Sequence, residues 1–171
     1  MKSRWEAGIL TVSDTRSQGL RADTATPLIR RLLEEAGFAV SETVLVPDEQ
    51  TRIQDRLVDM VDRCKLSLVI TTGGTGLGPR DVTPEATRVV MEREVPGLAE
   101  AMRASGAAHN PLAWLSRAVT GMRRRTLIVN LPGSPSAAHE CLETVLPLLP
   151  HALNILAGAG HDHVSQHSAP H

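Results

Sequence analysis

The segment Leu66-Ser67-Leu68-Val69-Ile70-Thr71-Thr72 followed by Gly73-Gly74-Thr75-Gly76-Leu77-Gly78 limits the folds open to this chain more than any other. A short, uninterrupted run of Leu, Val, Ile and Thr fits a strand covered on both faces, and such strands belong to α/β sheets flanked by helices. The loop therefore starts at the end of a buried strand. Its glycines open backbone angles closed to other residues and clear the approach to main-chain N–H groups, so it can cradle a phosphate. Thr83-Pro84 then reads as a helix start, with Thr83 as capping hydroxyl and proline in the first turn. The free amides and positive dipole end of that helix favour an anion beside the loop.

Two familiar nucleotide loops are excluded. A Walker loop needs Lys and Ser or Thr after its last glycine, and Gly78 is followed by Pro79-Arg80. The dinucleotide fingerprint needs a third glycine where Pro79 stands. The distinctive residue is Asp81. A carboxylate beside a phosphate loop repels the ligand unless a cation intervenes, which points to Mg²⁺ between Asp81 and nucleotide phosphates. The bland alternative is Asp81 as a second cap for the helix at Thr83.

Along the rest of the chain, Ala7–Val12 reads as a first strand, followed by a loop over residues 13–22 and a helix started at Thr26-Pro27 and stopped by Gly37. Val40–Val46 is the next strand. Ile53, Leu57, Met60, Val61 and Cys64 recur at helical spacing within Thr51–Cys64. Asp48 stands between that strand and that helix, where open α/β sheets place ligands, and it either binds there or caps the helix. Helices are expected near 84–93 and 98–104, with a break at Pro96-Gly97 and an irregular stretch at 106–111. A strand pair at 118–122 and 126–131 encloses a turn at Arg123-Arg124-Arg125, and a last helix, capped by Ser134 or Ser136, is divided by Pro147 and Pro150.

The chain has 171 residues and a net charge of −1, enough for one domain with a sheet covered on both faces. The basic surface expected of a nucleic-acid binder is absent, and only three aromatic residues, Trp5, Phe38 and Trp114, are available for base stacking. No apolar run is long enough to cross a membrane, and Cys64 and Cys141 form no metal-like cluster. The chain reads as cytoplasmic, with one domain over residues 1–158 and a mobile histidine-containing tail over 159–171. His161-Asp162-His163 in that tail lacks a firm third metal ligand, His109 and His139 read as surface or capping residues, and Ser13-Asp14 lacks a histidine in any triad context.

Five blocks together carry a resemblance: Ile9–Thr15 (ILTVSDT), Val46–Glu49 (VPDE), Thr71–Thr87 (TTGGTGLGPRDVTPEAT), Leu115–Gly121 (LSRAVTG) and Leu131–Pro135 (LPGSP). In this order, from about residue 6 to about residue 158, they resemble the molybdopterin adenylyltransferases, the Mog-type family that includes the gephyrin G domain. The resemblance implies a three-layer α/β/α domain with a mostly parallel sheet, usually a homotrimer, working with a molybdate insertase. It implies transfer of AMP from Mg-ATP to the terminal phosphate of molybdopterin, with release of pyrophosphate. Matched to the family pattern, Asp48 and Asp81 are the catalytic, Mg²⁺-holding acids, and Gly73, Gly74, Thr75 and Gly76 form the nucleotide-phosphate loop. Ser13 and Asp14 lie near the adenylate, and Ser116, Arg117, Pro132, Gly133 and Ser134 line the pterin-phosphate side. One departure stands at Asp23-Thr24-Ala25-Thr26, where the family often has Asp-x-Ser-Gly.

Two other readings stay open at this stage. One is a non-catalytic molybdopterin-binding paralogue or scaffold. The other is a nucleotide pyrophosphatase, whose loop is usually followed by two acids where this chain has Asp81 alone.

Overall fold

A computed structural model describes residues 5–158. The expected tail, with its histidines, lies outside them. Six strands form one sheet in the order β2-β1-β3-β6-β5-β4: β1 (Trp5–Val12), β2 (Phe38–Val46), β3 (Leu68–Thr72), β4 (Arg93–Glu94), β5 (Thr120–Arg123) and β6 (Thr126–Leu131). The first four in that order run parallel, whereas β5 is antiparallel to β6 and to β4. The sheet is thus mostly parallel with a reversed edge.

The helices are α1 (Asp14–Ser17), α2 (Ala25–Glu35), α3 (Gln50–Val58), α4 (Thr83–Val90), α5 (Pro96–Ala107), α6 (Pro135–Val145) and α7 (Leu149–Leu156). Alternation along each strand divides the core in two. Ile9, Leu68, Ile70, Leu127 and Val129 pack with α2, α5, α6 and α7, whereas Leu10, Val69 and Ile128 pack with α3 and α4 on the other face. Every residue of β3 and of β6 is buried. This is the three-layer α/β/α architecture, and it explains why both strands read as continuous apolar runs.

Several elements depart from the sequence expectation for local reasons. The helix after Asp48 continues from α3 into a π-helical turn, Asp59–Arg63, which keeps Met60 and Val61 buried with Ile53 and Leu57. Pro96 and Gly97 do not break α5 but open it, since proline is tolerated where the first amides have no partner anyway. The stretch expected to be irregular becomes the end of α5 and a 3₁₀ turn, Pro111–Leu115, whose first residues are capped by the Asn110 side chain through the Leu112 amide, 3.1 Å. At the head of α2 the capping group is Asp23, whose Oδ1 accepts from the Thr26 amide at 3.1 Å. Asp23 and Thr26 thus hold this turn without a serine or a glycine. The last helix is divided as expected, with a 3₁₀ turn at Leu146–Leu148 between α6 and α7.

Strand order places the site. From β1 the chain moves to β2 on one side, and β3 lies on the other, so the order reverses between β1 and β3. Ligands of open α/β sheets bind in the crevice outside the carboxyl ends at such a switch point. Thr11 pairs with Thr72 and Thr72 with Leu131, so the loops beginning at Ser13, Gly73 and Pro132 leave the sheet side by side.

Candidate active site

The glycine loop is held against its neighbours by contacts that only glycine permits. Gly73 and Gly74 have φ of 102° and 65°, in the left-handed region. A Cβ at Gly73 would collide with the Val12 carbonyl oxygen, and one at Gly74 would run into the Thr83 hydroxyl and come within 3.0 Å of Asp48 Oδ1. Gly133 completes the close approach, since its Cβ would stand 3.2 Å from Gly73 Cα. Three loops from three strands therefore meet backbone to backbone.

Thr83 does not cap α4. Val82 holds the cap position without a side-chain bond, and the buried Thr83 hydroxyl donates to the Gly73 carbonyl at 2.8 Å while its amide donates to the Gly74 carbonyl at 3.1 Å. Beneath it lies a buried polar chain. Asn130 Nδ2 donates to Thr71 Oγ1 at 2.9 Å and to Thr87 Oγ1 at 3.0 Å, Thr87 Oγ1 donates to the Thr83 carbonyl at 2.8 Å, and Asn130 Oδ1 accepts from the Val119 amide at 3.2 Å. Asn130, Thr71, Thr83 and Thr87 are all fully buried. A satisfied polar network in a low-dielectric core fixes one arrangement of the groups it joins, here β3, β6 and α4 beneath the loop.

Neither candidate acid is a helix cap. Asp48 Oδ2 accepts from the Asp14 amide at 2.8 Å, and Asp14 Oδ1 accepts in return from the Asp48 amide at 2.9 Å. Arg80 closes this pair from the glycine loop, with Nε and Nη2 each 3.0 Å from an Asp14 oxygen. Hydrogen bonds from Arg80 and from the Asp48 amide hold the Asp14 carboxyl below the usual carboxylate range. Burial pushes the Asp48 carboxyl up, opposed by the Asp14 amide and reinforced by the Asp14 and Asp81 charges. Asp81 Oδ2 accepts from the Gly78 amide at 2.8 Å, which turns its carboxylate back over the loop instead of onto α4.

Two cavities flank the loop. The smaller, about 310 Å³, is lined by Ser13, Arg16, Arg21, Asp48, Gly73, Gly74, Asp81, Gly133 and Ser134. The larger, about 600 Å³, is lined by Gly76, Ser116, Pro132 and Ser134 together with the apolar Leu77, Met102, Leu112 and Leu115. Ser134 belongs to both. Ser134 takes the cap position of α6 without a side-chain cap bond, its hydroxyl lying 3.1 Å from that of Ser136.

A match to the family described as "Probable molybdopterin binding domain" covers residues 8–151. The chain belongs to this molybdopterin-binding family. Among its relatives, molybdopterin adenylyltransferase of Helicobacter pylori is 40% identical over 153 residues, spanning 88% of this chain and 87% of that protein. The Haemophilus influenzae molybdopterin adenylyltransferase is 45% identical over 148 residues, 85% of this chain and 75% of its own length. A Drosophila melanogaster relative, "Molybdenum cofactor synthesis protein cinnamon", is 44% identical, but the matched region is 25% of that longer protein. Among solved structures, the molybdopterin biosynthesis enzyme MoaB of Thermus thermophilus superposes with a TM-score of 0.86 at 55% identity, covering 90% of this chain and 97% of that one.

Within this molybdopterin-binding domain, Ser13, Asp48, Asp81, Gly73, Gly74, Gly133 and Ser134 meet at the smaller cavity, and Gly76, Ser116, Pro132 and Ser134 at the larger. Three sequence candidates stand elsewhere. Asp14 is held at the rim by Arg80, and Thr75 is buried, its carbonyl accepting from the Arg117 amide at 2.9 Å. Arg117 lines neither cavity. Its Nε donates to the Gly76 carbonyl at 2.7 Å, Nη2 to the Asp81 carbonyl, and Nη1 to Glu85 Oε1. Burial works against the Glu85 charge, yet the bond and charge of Arg117 bring its carboxyl below the ordinary range. Arg117 thus braces the glycine loop from below.

Asn130, Thr83, Thr87, Glu85 and Arg16 were not legible as site residues. Asn130 carried a signal, a lone amide inside the apolar strand Thr126–Leu131.

Proposed function

We propose that this chain is a molybdopterin adenylyltransferase of molybdenum cofactor biosynthesis. The observation that carries the reading is the pairing of cavities. A polar cavity beside a glycine loop, flanked by Asp48 and Asp81, shares Ser134 with a larger, mostly apolar one. The first suits the phosphates of ATP, and the second suits a fused-ring substrate bearing a terminal phosphate. Relatives named for this activity, 40% and 45% identical over most of the chain, support it.

In the proposed reaction a phosphate oxygen of molybdopterin attacks the α-phosphorus of ATP as the bond to the bridging oxygen breaks and pyrophosphate leaves. The nucleophile is already ionised, so positioning and charge neutralisation suffice and no basic side chain is needed. The Gly73 amide is held by the Leu131 carbonyl at 3.1 Å, so the amides of residues 74–76 bind the nucleotide phosphates, while Ser116 and the backbone at Pro132–Ser134 receive the pterin phosphate. Among the described residues no group of three or more His, Cys, Asp or Glu could hold a metal alone. Two carboxylates beside a phosphate loop nevertheless fit Mg²⁺, which takes one or two carboxylates and completes its shell with phosphate oxygens and water. Asp48 and Asp81 are the residues to hold it, and the ion supplies neutralisation of triphosphate charge.

The same reading makes the protein a cytoplasmic homotrimer that passes adenylated pterin to a molybdate insertase. Among the described residues no helix is long and apolar enough to cross a membrane. Leu112, Trp114 and Leu115 are more than half exposed, offering an apolar contact for a second copy, which light scattering checks.

Incubation with molybdopterin, ATP and Mg²⁺, followed by mass analysis, tests the activity. Adenylated pterin and pyrophosphate are expected from the wild type, and Asp81→Asn is expected to lower turnover by about 100-fold or more. Pterin binding with no adenylated product would instead mark a scaffold. Hydrolysis of a dinucleotide without pterin would mark a pyrophosphatase.

A further inference from the structure

Arg16 is a buried cation that nothing in the protein fully satisfies. It lies in the short helix α1, only 8% exposed, and forms part of the wall of the smaller cavity. Its Nη2 donates to the Gly133 carbonyl at 3.1 Å. The nearest carboxylate, Asp23 Oδ1, stands 4.0 Å from Nη1 and already accepts from the Thr26 amide at 3.1 Å. Arg16 Nε has no partner, one of two such buried side-chain atoms among the described residues, with Asn154 Oδ1. A buried guanidinium normally has its donors engaged by a carboxylate fork, and one left under-compensated is costly.

An anion entering the cavity would supply the missing charge. Arg21 adds a second cation to its lining, beside the backbone of Gly73, Gly74, Gly133 and Ser134. Asp48 and Asp81, facing the same space, exclude a bare carboxylate more than a phosphate accompanied by a divalent cation. We infer that Arg16 is an anion-binding residue of this site, recognising a phosphate group at the junction of the two cavities. This rests on the adenylyl-transfer reading for the identity of the phosphate but not for its binding. Unlike Arg117, whose fork is consumed by the loop, Arg16 has donors to spare.

Titration of the full chain with inorganic pyrophosphate and, separately, inorganic phosphate, with and without Mg²⁺, tests this without turnover. R16Q is expected to weaken binding by about 10- to 100-fold in at least one arm, and R16K to lie between, since it keeps the charge and loses the fork. Loss confined to pyrophosphate assigns Arg16 to the nucleotide, and loss confined to phosphate assigns it to the acceptor. In the wild type the Arg16 Nε–H resonance, assigned by its disappearance in R16K, is expected to shift on titration, a readout that does not depend on R16Q folding. An unmoved resonance, or R16Q affinity within about 2-fold of wild type in both arms, overturns the inference even if AMP transfer is intact. Failure of AMP transfer with an Arg16-dependent titration would overturn the activity and leave the site.

Discussion

Asp14 and Asp48 hold each other by reciprocal bonds, each backbone amide donating to the other's carboxylate, at 2.8 and 2.9 Å, at the carboxyl ends of β1 and β2. The exchange ties the loop after β1 to the loop after β2, and the surroundings of the two carboxyls displace them in opposite directions. Arg80 and the Asp48 amide lower Asp14, whereas burial raises Asp48. One acid is spent on structure, and the other is kept as a strained charge facing the cavity.

The two acids therefore differ in their effect on stability with pH. A carboxyl raised in the fold favours folding below its unfolded pKa and loses that contribution as pH rises through the folded value. Asp48→Asn removes this loss, so the variant is expected to be as stable as wild type at pH 7 or more stable by less than about 1 kcal/mol. A carboxyl lowered in the fold contributes above its unfolded pKa and stops contributing as pH falls through the folded value. Asp14→Asn is accordingly expected to cost about 1 kcal/mol at pH 7, a gap that closes in acid. Urea unfolding of both variants from pH 7 downward checks the opposite trends.

Gly74→Ala tests the loop. The left-handed φ of 65° and the crowding by the Thr83 hydroxyl and Asp48 leave no room for a methyl group. A loss of about 1–3 kcal/mol in stability is expected, together with loss of nucleotide binding. Gly158→Ala has a similar φ of 87° but open space around the added methyl, so it carries the backbone cost without the displacement and leaves nucleotide binding intact.

Asn130→Ala removes the hub beneath the loop. It leaves the Val119 amide without its acceptor and the Thr71 and Thr87 hydroxyls without their donor, at an expected cost of about 2–3 kcal/mol. Because the network ends on Gly73, faster amide exchange at residues 73–76 is expected even under conditions where the variant is fully folded. Unchanged exchange there would separate the network from the loop.

Arg117→Lys distinguishes a clamp from a substrate ligand. Lysine cannot serve Gly76, Asp81 and Glu85 at once, so the loop loosens. The expected result is a fall in kcat of about 10-fold or more with the molybdopterin KM little changed. A raised KM at constant kcat would place Arg117 on the pterin phosphate.

The sequence alone determined a strand covered on both faces and the glycine loop that leaves it. Continuous apolar strands, helical spacing at Ile53–Val61 and glycines after Thr72 are local properties, and local sterics and burial read them directly. The same signals marked Asp48 and Asp81 as acids at loop mouths. What needed the tertiary structure was the use of each polar group. Thr83 reads as a cap and anchors Gly73, and Arg117 reads as a ligand and clamps the loop. Arg16 carries no signal in the sequence and is buried in the cavity wall with an unpaired donor. Partners 10 to 117 residues away in sequence decide those roles. A hydrogen bond carries no periodicity, so only the folded chain brings donor and acceptor within reach.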